Sequence, residues 1–97
     1  MAIYYKGEIA RDIKPSPLGF DVTGMTITVI FTSPTGAVTT KTGAIVDAPT
    51  GQVKYTTSSA ADLNVVGEWF VRVKCTIGGT TVLYGPIQNF YVEDVEA

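Results

Sequence analysis

The strongest constraint on this chain is a period of two in its hydrophobic residues. Within the run Met25–Thr32, apolar side chains at Met25, Ile27, Val29 and Phe31 alternate mainly with threonines. Successive side chains of a β-strand point to opposite faces, so this pattern predicts a strand with one face in a core and the other in water.

Similar short runs recur along the chain and are separated by turn residues. Ser33-Pro34-Thr35-Gly36 and Pro49-Thr50-Gly51 have the composition of tight turns, and Gly78-Gly79 favours a hairpin. About seven or eight short strands at this spacing indicate an antiparallel β-sandwich. With 97 residues, we expect one domain over 1–97, with a short N-terminal arm (1–8) and an acidic C-terminal end (93–97).

Inward registers predict which residues form the core. In the run Glu68–Ile77, we expect Trp69, Val71, Val73 and Cys75 to face inward. Tyr55 has the same register in its own run, and Leu63 is expected to close one end of the core. The stretch Ser58–Leu63 has the only helical character, limited to one or two turns.

The chain lacks the residue types that most catalytic sites need. It has no histidine and a single cysteine, which removes histidine-based triads and imidazole metal sites. Cys75 is expected to be an inert buried thiol. Glu93, Asp94 and Glu96 predict a solvated acidic end, with a weak cation site as the alternative. We therefore predict no enzymatic activity, no cofactor and no metal site.

Charge and hydropathy narrow the classes of partner. Charged residues make up 16% of the chain and the net charge is −2, so no electrostatic footprint for nucleic acid or an anionic membrane is present. Neither a signal peptide nor a run of about 20 apolar residues occurs. We expect synthesis in the cytoplasm without secretory export, and a surface partly covered by neighbouring molecules.

Outward aromatic residues define the predicted interaction surface. Phe70 shares its strand face with Arg72 and Lys74, and an aromatic ring between cations could anchor a protein partner or a sugar. The alternative is that Phe70 packs beneath a loop or the N-terminal segment. The predicted interaction surface consists of Tyr4, Tyr5, Phe70, Arg72, Tyr84 and Tyr91.

A succession of motifs over Asp12 to Val95 resembles one family. It consists of Thr23-Gly24, Pro34-Thr35-Gly36, Asp47, Gly51-Gln52-Val53-Lys54-Tyr55, Asp62-Leu63, Gly67-Glu68-Trp69-Phe70-Val71 and Phe90-Tyr91-Val92. This succession resembles the immunoglobulin-like N-terminal domain of phage baseplate upper proteins and related small Ig-like modules of tailed-phage virions. The resemblance implies an Ig-like sandwich that docks to other virion proteins without catalysis. Because further chain follows this domain in baseplate upper proteins, whereas this chain stops at Ala97, we expect a stand-alone module.

The leading hypothesis is a virion structural protein, present in several symmetric copies as a capsid decoration, neck, tail or baseplate component. The expected contacts are the arm Ile3–Glu8, the edge strand Ala37–Thr42 and the outward face around Phe70, Arg72 and Tyr91. If the arm docks, deletion of Met1–Lys6 should abolish incorporation into particles and leave thermal stability nearly unchanged.

Two other hypotheses remain open from the sequence. One is a carbohydrate- or cell-surface-binding module, in which Trp69, Phe70 or Tyr84 stacks on a sugar ring. The other is an Ig-like fragment of a larger bacterial adhesin, although the start at Met1 and the acidic end favour a complete small protein.

Overall fold

The computed structural model describes residues 2–15, 17–59, 62–78 and 81–94. Within these ranges the chain forms nine strands and no helix. In chain order the strands are β1 (Ala2–Tyr5), β2 (Asp12–Ile13), β3 (Thr26–Thr32), β4 (Val38–Thr42), β5 (Ala44–Asp47), β6 (Gln52–Thr56), β7 (Gly67–Ile77), β8 (Thr81–Tyr84) and β9 (Gln88–Glu93).

The strands are arranged in two sheets. The larger has six strands, in the order β1-β9-β7-β3-β4 with β8 also paired to β7, and the smaller has three in the order β2-β6-β5. β9 pairs with Gly67–Val71 and β8 with Lys74–Ile77, so β8 and β9 lie end to end along the same edge of β7. The predicted all-β fold with two sheets is confirmed.

Two features of the sheets differ from the expected arrangement. β1 pairs with β9 in parallel, whereas every other pairing among the described strands is antiparallel. The described residues also form nine strands where seven or eight were expected. β2 has only two residues and is too short to show a hydrophobic period.

The core lies between the two sheets and follows the predicted registers. Leu63 is 1% exposed and Cys75 is fully buried, as expected. Trp69 stacks on Phe90 with ring centroids 6.0 Å apart. The buried hydrophobic residues are Tyr4, Ile13, Val22, Ile27, Val29, Phe31, Val53, Tyr55, Leu63, Trp69, Val71, Val73, Cys75, Phe90 and Val92.

Both Pro-Thr-Gly segments form the predicted turns. Gly36 has a φ of 90° and its amide donates to the Ser33 carbonyl at 2.9 Å. Gly51 has a φ of 77° and its amide donates to the Asp47 carbonyl at 3.1 Å. Glycine adopts this left-handed conformation without the steric cost that a Cβ would add.

The chain passes from the larger sheet to the smaller one within a single residue, Gly43, which separates β4 from β5. A Cβ at Gly43 would lie 2.8 Å from Cγ2 of Ile27 and 2.9 Å from Cγ2 of Val29. These contacts are shorter than carbon atoms tolerate, so the close approach of the crossing to β3 requires a residue without a side chain.

The N-terminal segment is part of the fold and not a free arm, which corrects the sequence prediction. The β1 strand hydrogen-bonds to β9, and Tyr4 is 6% exposed. The Tyr4 ring meets the Phe90 ring edge-on, with centroids 5.2 Å apart. Residues 1–6 therefore include a core side chain, and their removal should not leave thermal stability unchanged.

Some predicted features fall partly outside the described residues. Ala60 and Ala61 lie outside them, and Asp62 and Leu63 form a turn instead of the expected helical segment. Ile77 pairs with Thr81, so β7 and β8 form the predicted antiparallel pair. Gly79 of the expected Gly78-Gly79 loop and Thr80, the expected first residue of the next strand, lie outside the described ranges. Of the acidic end, residues 95–97 are likewise outside.

Candidate functional site

The outward side of the six-stranded sheet, here called the outer face, carries most of the predicted interaction residues. Phe70 on β7 is 41% exposed, Tyr84 on β8 is 51% exposed and Tyr91 on β9 is 38% exposed. Phe70 pairs across to Asn89, and Tyr91 pairs across to Glu68. Three aromatic side chains of adjacent strands therefore project from one surface.

A shallow groove of about 510 Å³ runs across this face. Phe70 and Tyr84 are the aromatic residues that line it. Its lining consists of Ile30, Thr32, Val38, Phe70, Val71, Arg72, Tyr84 and Ile87. Most of these side chains are apolar, so the groove suits a partner that buries nonpolar surface.

Arg72 is held in place inside this groove. Its guanidinium carbon lies 5.1 Å from the Tyr84 ring centroid, and its Nε donates a hydrogen bond to the Gly85 carbonyl at 3.0 Å. Gly85 is fixed in turn, because its amide donates to the Val73 carbonyl at 2.9 Å. Arg72 and Tyr84 therefore present a preformed cation–aromatic pair to a partner.

Charges of opposite sign lie at the two ends of the outer face. Glu68 stands at one end of β7 and accepts a hydrogen bond from Nδ2 of Asn89 at 2.8 Å. Lys74 stands toward the other end, where it pairs across to Tyr84. Within the described ranges, Lys74 has no ion pair. The face is therefore acidic at the Glu68 end and basic at the Arg72 and Lys74 end.

The structure brings together only part of the predicted interaction surface. Phe70, Arg72 and Tyr84 share the groove, and Tyr91 lies beside them on β9. Tyr5 is 43% exposed but stands on the edge strand β1, opposite Glu93. The prediction that Tyr4 belongs to the interaction surface is wrong. Its ring is buried in the core and is not available to a partner.

Sequence reasoning did not identify Ile30 and Ile87 as contact residues, and it included Val38 only as part of the predicted edge strand Ala37–Thr42. Ile30 lies on the polar side of its run, Val38 on a threonine-rich strand, and Ile87 follows Gly85-Pro86, outside any alternating pattern. Ile87 is 62% exposed and Val38 is 65% exposed. Each of these residues is apolar and points outward, but the sequence does not show that they lie next to one another, because this depends on which strands are neighbours.

The predicted edge strand is confirmed. Among the described strands β4 pairs only with β3, and four of its five residues are exposed. Its other edge presents backbone groups without a neighbouring strand among the described residues, and such an edge is a template for strand addition.

A second cavity, of about 300 Å³, has Asp62, Lys41 and Tyr55 among its lining residues. The Asp62 side chain is 7% exposed and lies 3.3 Å from Lys41 Nζ. Tyr55 donates its hydroxyl to Asp62 at 2.7 Å, and the Ser58 amide donates at 2.8 Å. Asp62 therefore ties the Ser58 turn to Tyr55 on β6 and Lys41 on β4.

The surroundings of Asp62 lower its pKa below the ordinary value. Burial alone would raise the pKa, but the Ser58 amide, the Tyr55 hydroxyl and the Lys41 ammonium outweigh it by stabilising the carboxylate. The same cluster acts on Tyr55 in the opposite direction, since burial and the Asp62 carboxylate both raise the pKa of its hydroxyl.

Trp69 is not placed to stack on a sugar. It is 4% exposed, and its indole N–H donates to the Val65 carbonyl at 2.8 Å. Of the three aromatic residues considered for carbohydrate binding, only Phe70 and Tyr84 present a ring to solvent.

Further observations concern metal ions, the thiol and membranes. No group of three or more potential metal-ligating side chains occurs within the described residues. Burial raises the pKa of the Cys75 thiol, which disfavours the nucleophilic thiolate. The described residues contain no helix that is long and apolar enough to span a bilayer.

Comparison with known proteins adds no family assignment. No protein-family model matches the chain, and no curated protein matches it.

Proposed function

We propose that this chain is a non-enzymatic structural protein of a tailed-phage virion, an Ig-like module that docks to other virion proteins through its outer face. The phage assignment rests on the motif succession described from the sequence. The docking role rests on the outer face, where aromatic and aliphatic side chains of adjacent strands are exposed together.

The strand order supports the Ig-like part of the proposal. In an Ig-like sandwich, strands B, E and D share one sheet and strands C, F and G share the other. Here β2, β6 and β5 take the first set of places, while β3, β7 and the β8–β9 pair take the second. β4 then corresponds to the additional strand that follows C.

The core of this chain differs from that of antibody domains in two respects. Antibody domains place a tryptophan on strand C and bridge the sheets by a disulfide. Here Trp69 lies on β7, which has the place of strand F, and Cys75 is the only cysteine. Aromatic packing of Trp69, Phe90 and Phe31 fills the position between the sheets instead.

The observation that carries the docking role is the apolar character of the groove on the outer face. Phe70, Tyr84 and Ile87 would each expose nonpolar surface to water in an isolated molecule. Contiguous exposed apolar surface is typical of interaction sites. Because the Arg72 and Tyr84 side chains are already held in place, they lose less conformational entropy when a partner binds.

Mass spectrometry of phage particles purified from a lysate of the source tests the proposal. We expect the chain at a fixed ratio to the major capsid or tail protein, and that ratio gives its copy number. Absence from particles that retain their other structural proteins would contradict a virion role.

A carbohydrate-binding role is the second candidate, and the exposed rings of Phe70 and Tyr84 favour it. A glycan array probed with the wild-type chain and with Tyr84→Ala distinguishes it from the docking role. Binding that is lost in Tyr84→Ala would support the sugar site, whereas silence across cell-wall glycans would count against it.

A further inference from the structure

We propose that the outer face binds a second copy of this chain, forming a two-fold symmetric dimer in which β7 of one copy lies antiparallel over β7 of the other. This inference rests on the proposed docking role and deepens it, because it takes the virion protein on the outer face to be another copy of this chain. It names the occupant of that face and is tested on the purified chain, without particles.

The order of residues along the outer face is self-complementary. A two-fold axis across the strands at Val71 places residues equally distant from Val71 opposite each other. Glu68 of one copy then faces Lys74 of the other, and Phe70 faces Arg72, since these residues all point outward from β7. Such an isologous contact uses each pairing twice.

The neighbouring strands extend the same match. Tyr91 pairs across to Glu68 and Tyr84 pairs across to Lys74, so these two tyrosines occupy equivalent rows on either side of Val71. The two-fold rotation therefore brings Tyr91 of one copy over Tyr84 of the other. Each Tyr91–Tyr84 contact between the copies therefore lies beside a Glu68–Lys74 pair of opposite charges.

Charge complementarity selects the second copy over an unrelated partner. If the two copies of β7 ran parallel, Glu68 would face Glu68 and Lys74 would face Lys74, and the like charges would repel. In the antiparallel arrangement the acidic end of one copy faces the basic end of the other. Lys74, which has no ion pair within the described residues, gains a carboxylate partner in this arrangement. Phe70 gains the guanidinium of Arg72 over its ring.

The size of the face predicts a weak dimer. From Glu68 to Lys74 the strand runs roughly 20 Å, and five strands at about 4.8 Å spacing give on the order of 500 Å² per copy. Standard interfaces bury about 800 Å² per partner. We therefore expect an equilibrium between monomer and dimer that depends on concentration, and that neighbouring contacts in a particle would strengthen.

Charge exchange at the two ends is the test, measured by sedimentation equilibrium of the purified chain at low salt. The wild type is expected to dimerise with rising concentration. Glu68→Lys alone and Lys74→Glu alone each place like charges opposite each other and should weaken the dimer roughly tenfold. Lys14→Glu, on an exposed residue outside the six-stranded sheet, is the control and should leave the dimer unchanged.

Mixing the two single variants gives the decisive result. In a mixed dimer, both lysines of the Glu68→Lys chain face both glutamates of the Lys74→Glu chain, so association should return to the wild-type level. A wild type that stays monomeric at its highest soluble concentration would overturn the proposal. A mixture that stays as weak as either variant alone would overturn the antiparallel arrangement.

Discussion

Tyr4 and Tyr5 are adjacent residues of the same type with opposite environments. Tyr4 is 6% exposed and packs on Phe90, whereas Tyr5 is 43% exposed. We expect Tyr4→Ala to lower the free energy of unfolding by roughly 3 kcal/mol because it leaves a cavity. Tyr5→Ala, the matched control, should change it by less than about 0.5 kcal/mol. Urea denaturation measures both, and equal effects would contradict the observed facing of β1.

Asp62 links stability to pH. Its lowered pKa means that its carboxylate stabilises the fold above the ordinary value of 3.8, and that this stabilisation is lost as the pH falls through the lower pKa of the folded state. We expect Asp62→Asn to cost roughly 1–3 kcal/mol at neutral pH, because the Tyr55 hydroxyl and the Lys41 ammonium lose a charged acceptor.

The difference in unfolding free energy between wild type and Asp62→Asn should shrink below pH 3.8, where the wild-type carboxylate takes up its proton. Denaturant titrations at several pH values give this difference directly. A difference that stays constant down to the acid limit of the folded state would show that Asp62 does not titrate as its contacts require.

At the scale of elements, Gly43 determines how β4 connects to β5. Gly43→Ala places a methyl group against Ile27 and Val29, and we expect a loss of about 1–3 kcal/mol from overpacking. Thr42→Ala, at the exposed preceding residue, is the control for the change to alanine. Equal stability of Gly43→Ala and Thr42→Ala would show that the crossing has room to move away from β3.

The strands that were predictable from the sequence are those with a long period of two. β3 and β7 show it over enough residues to fix both their extent and their inward side chains. β2 has too few residues for a period. The inward side of β1 depends on its parallel pairing with β9, near the other end of the described chain, and local alternation carries no information about that partner.

The candidate site was predictable in part for the same reason. Phe70 and Arg72 were identified because they stand on one strand at outward registers. Their proximity to Ile87 depends on β8 and β9 lying end to end along β7, which follows from the strand pairing and from no motif. The Asp62 cluster joins residues of different segments in the same way, through the fold.

At the scale of the whole molecule, the two sheets have different surroundings. The inner sides of both sheets form one hydrophobic core, while the outer face of the six-stranded sheet presents a groove with a preformed Arg72–Tyr84 pair. A chain with only 16% charged residues has few means of keeping such a face solvated. We therefore propose that the main function of this face is docking.

Competition for incorporation into particles tests that claim most directly. Wild-type and Phe70→Asp chains, carrying different tags, are supplied together, and mass spectrometry measures their ratio in purified particles. The matched control is Val46→Asp, because Val46 is 48% exposed on the smaller sheet while Phe70 is 41% exposed on the larger one. Thermal unfolding establishes that all three chains are folded.

We expect particles to contain at least about tenfold more wild type than Phe70→Asp, since losing an interface anchor costs more than 1.4 kcal/mol. Val46→Asp should be incorporated as well as the wild type. Equal incorporation of folded Phe70→Asp and wild type would contradict docking through the outer face.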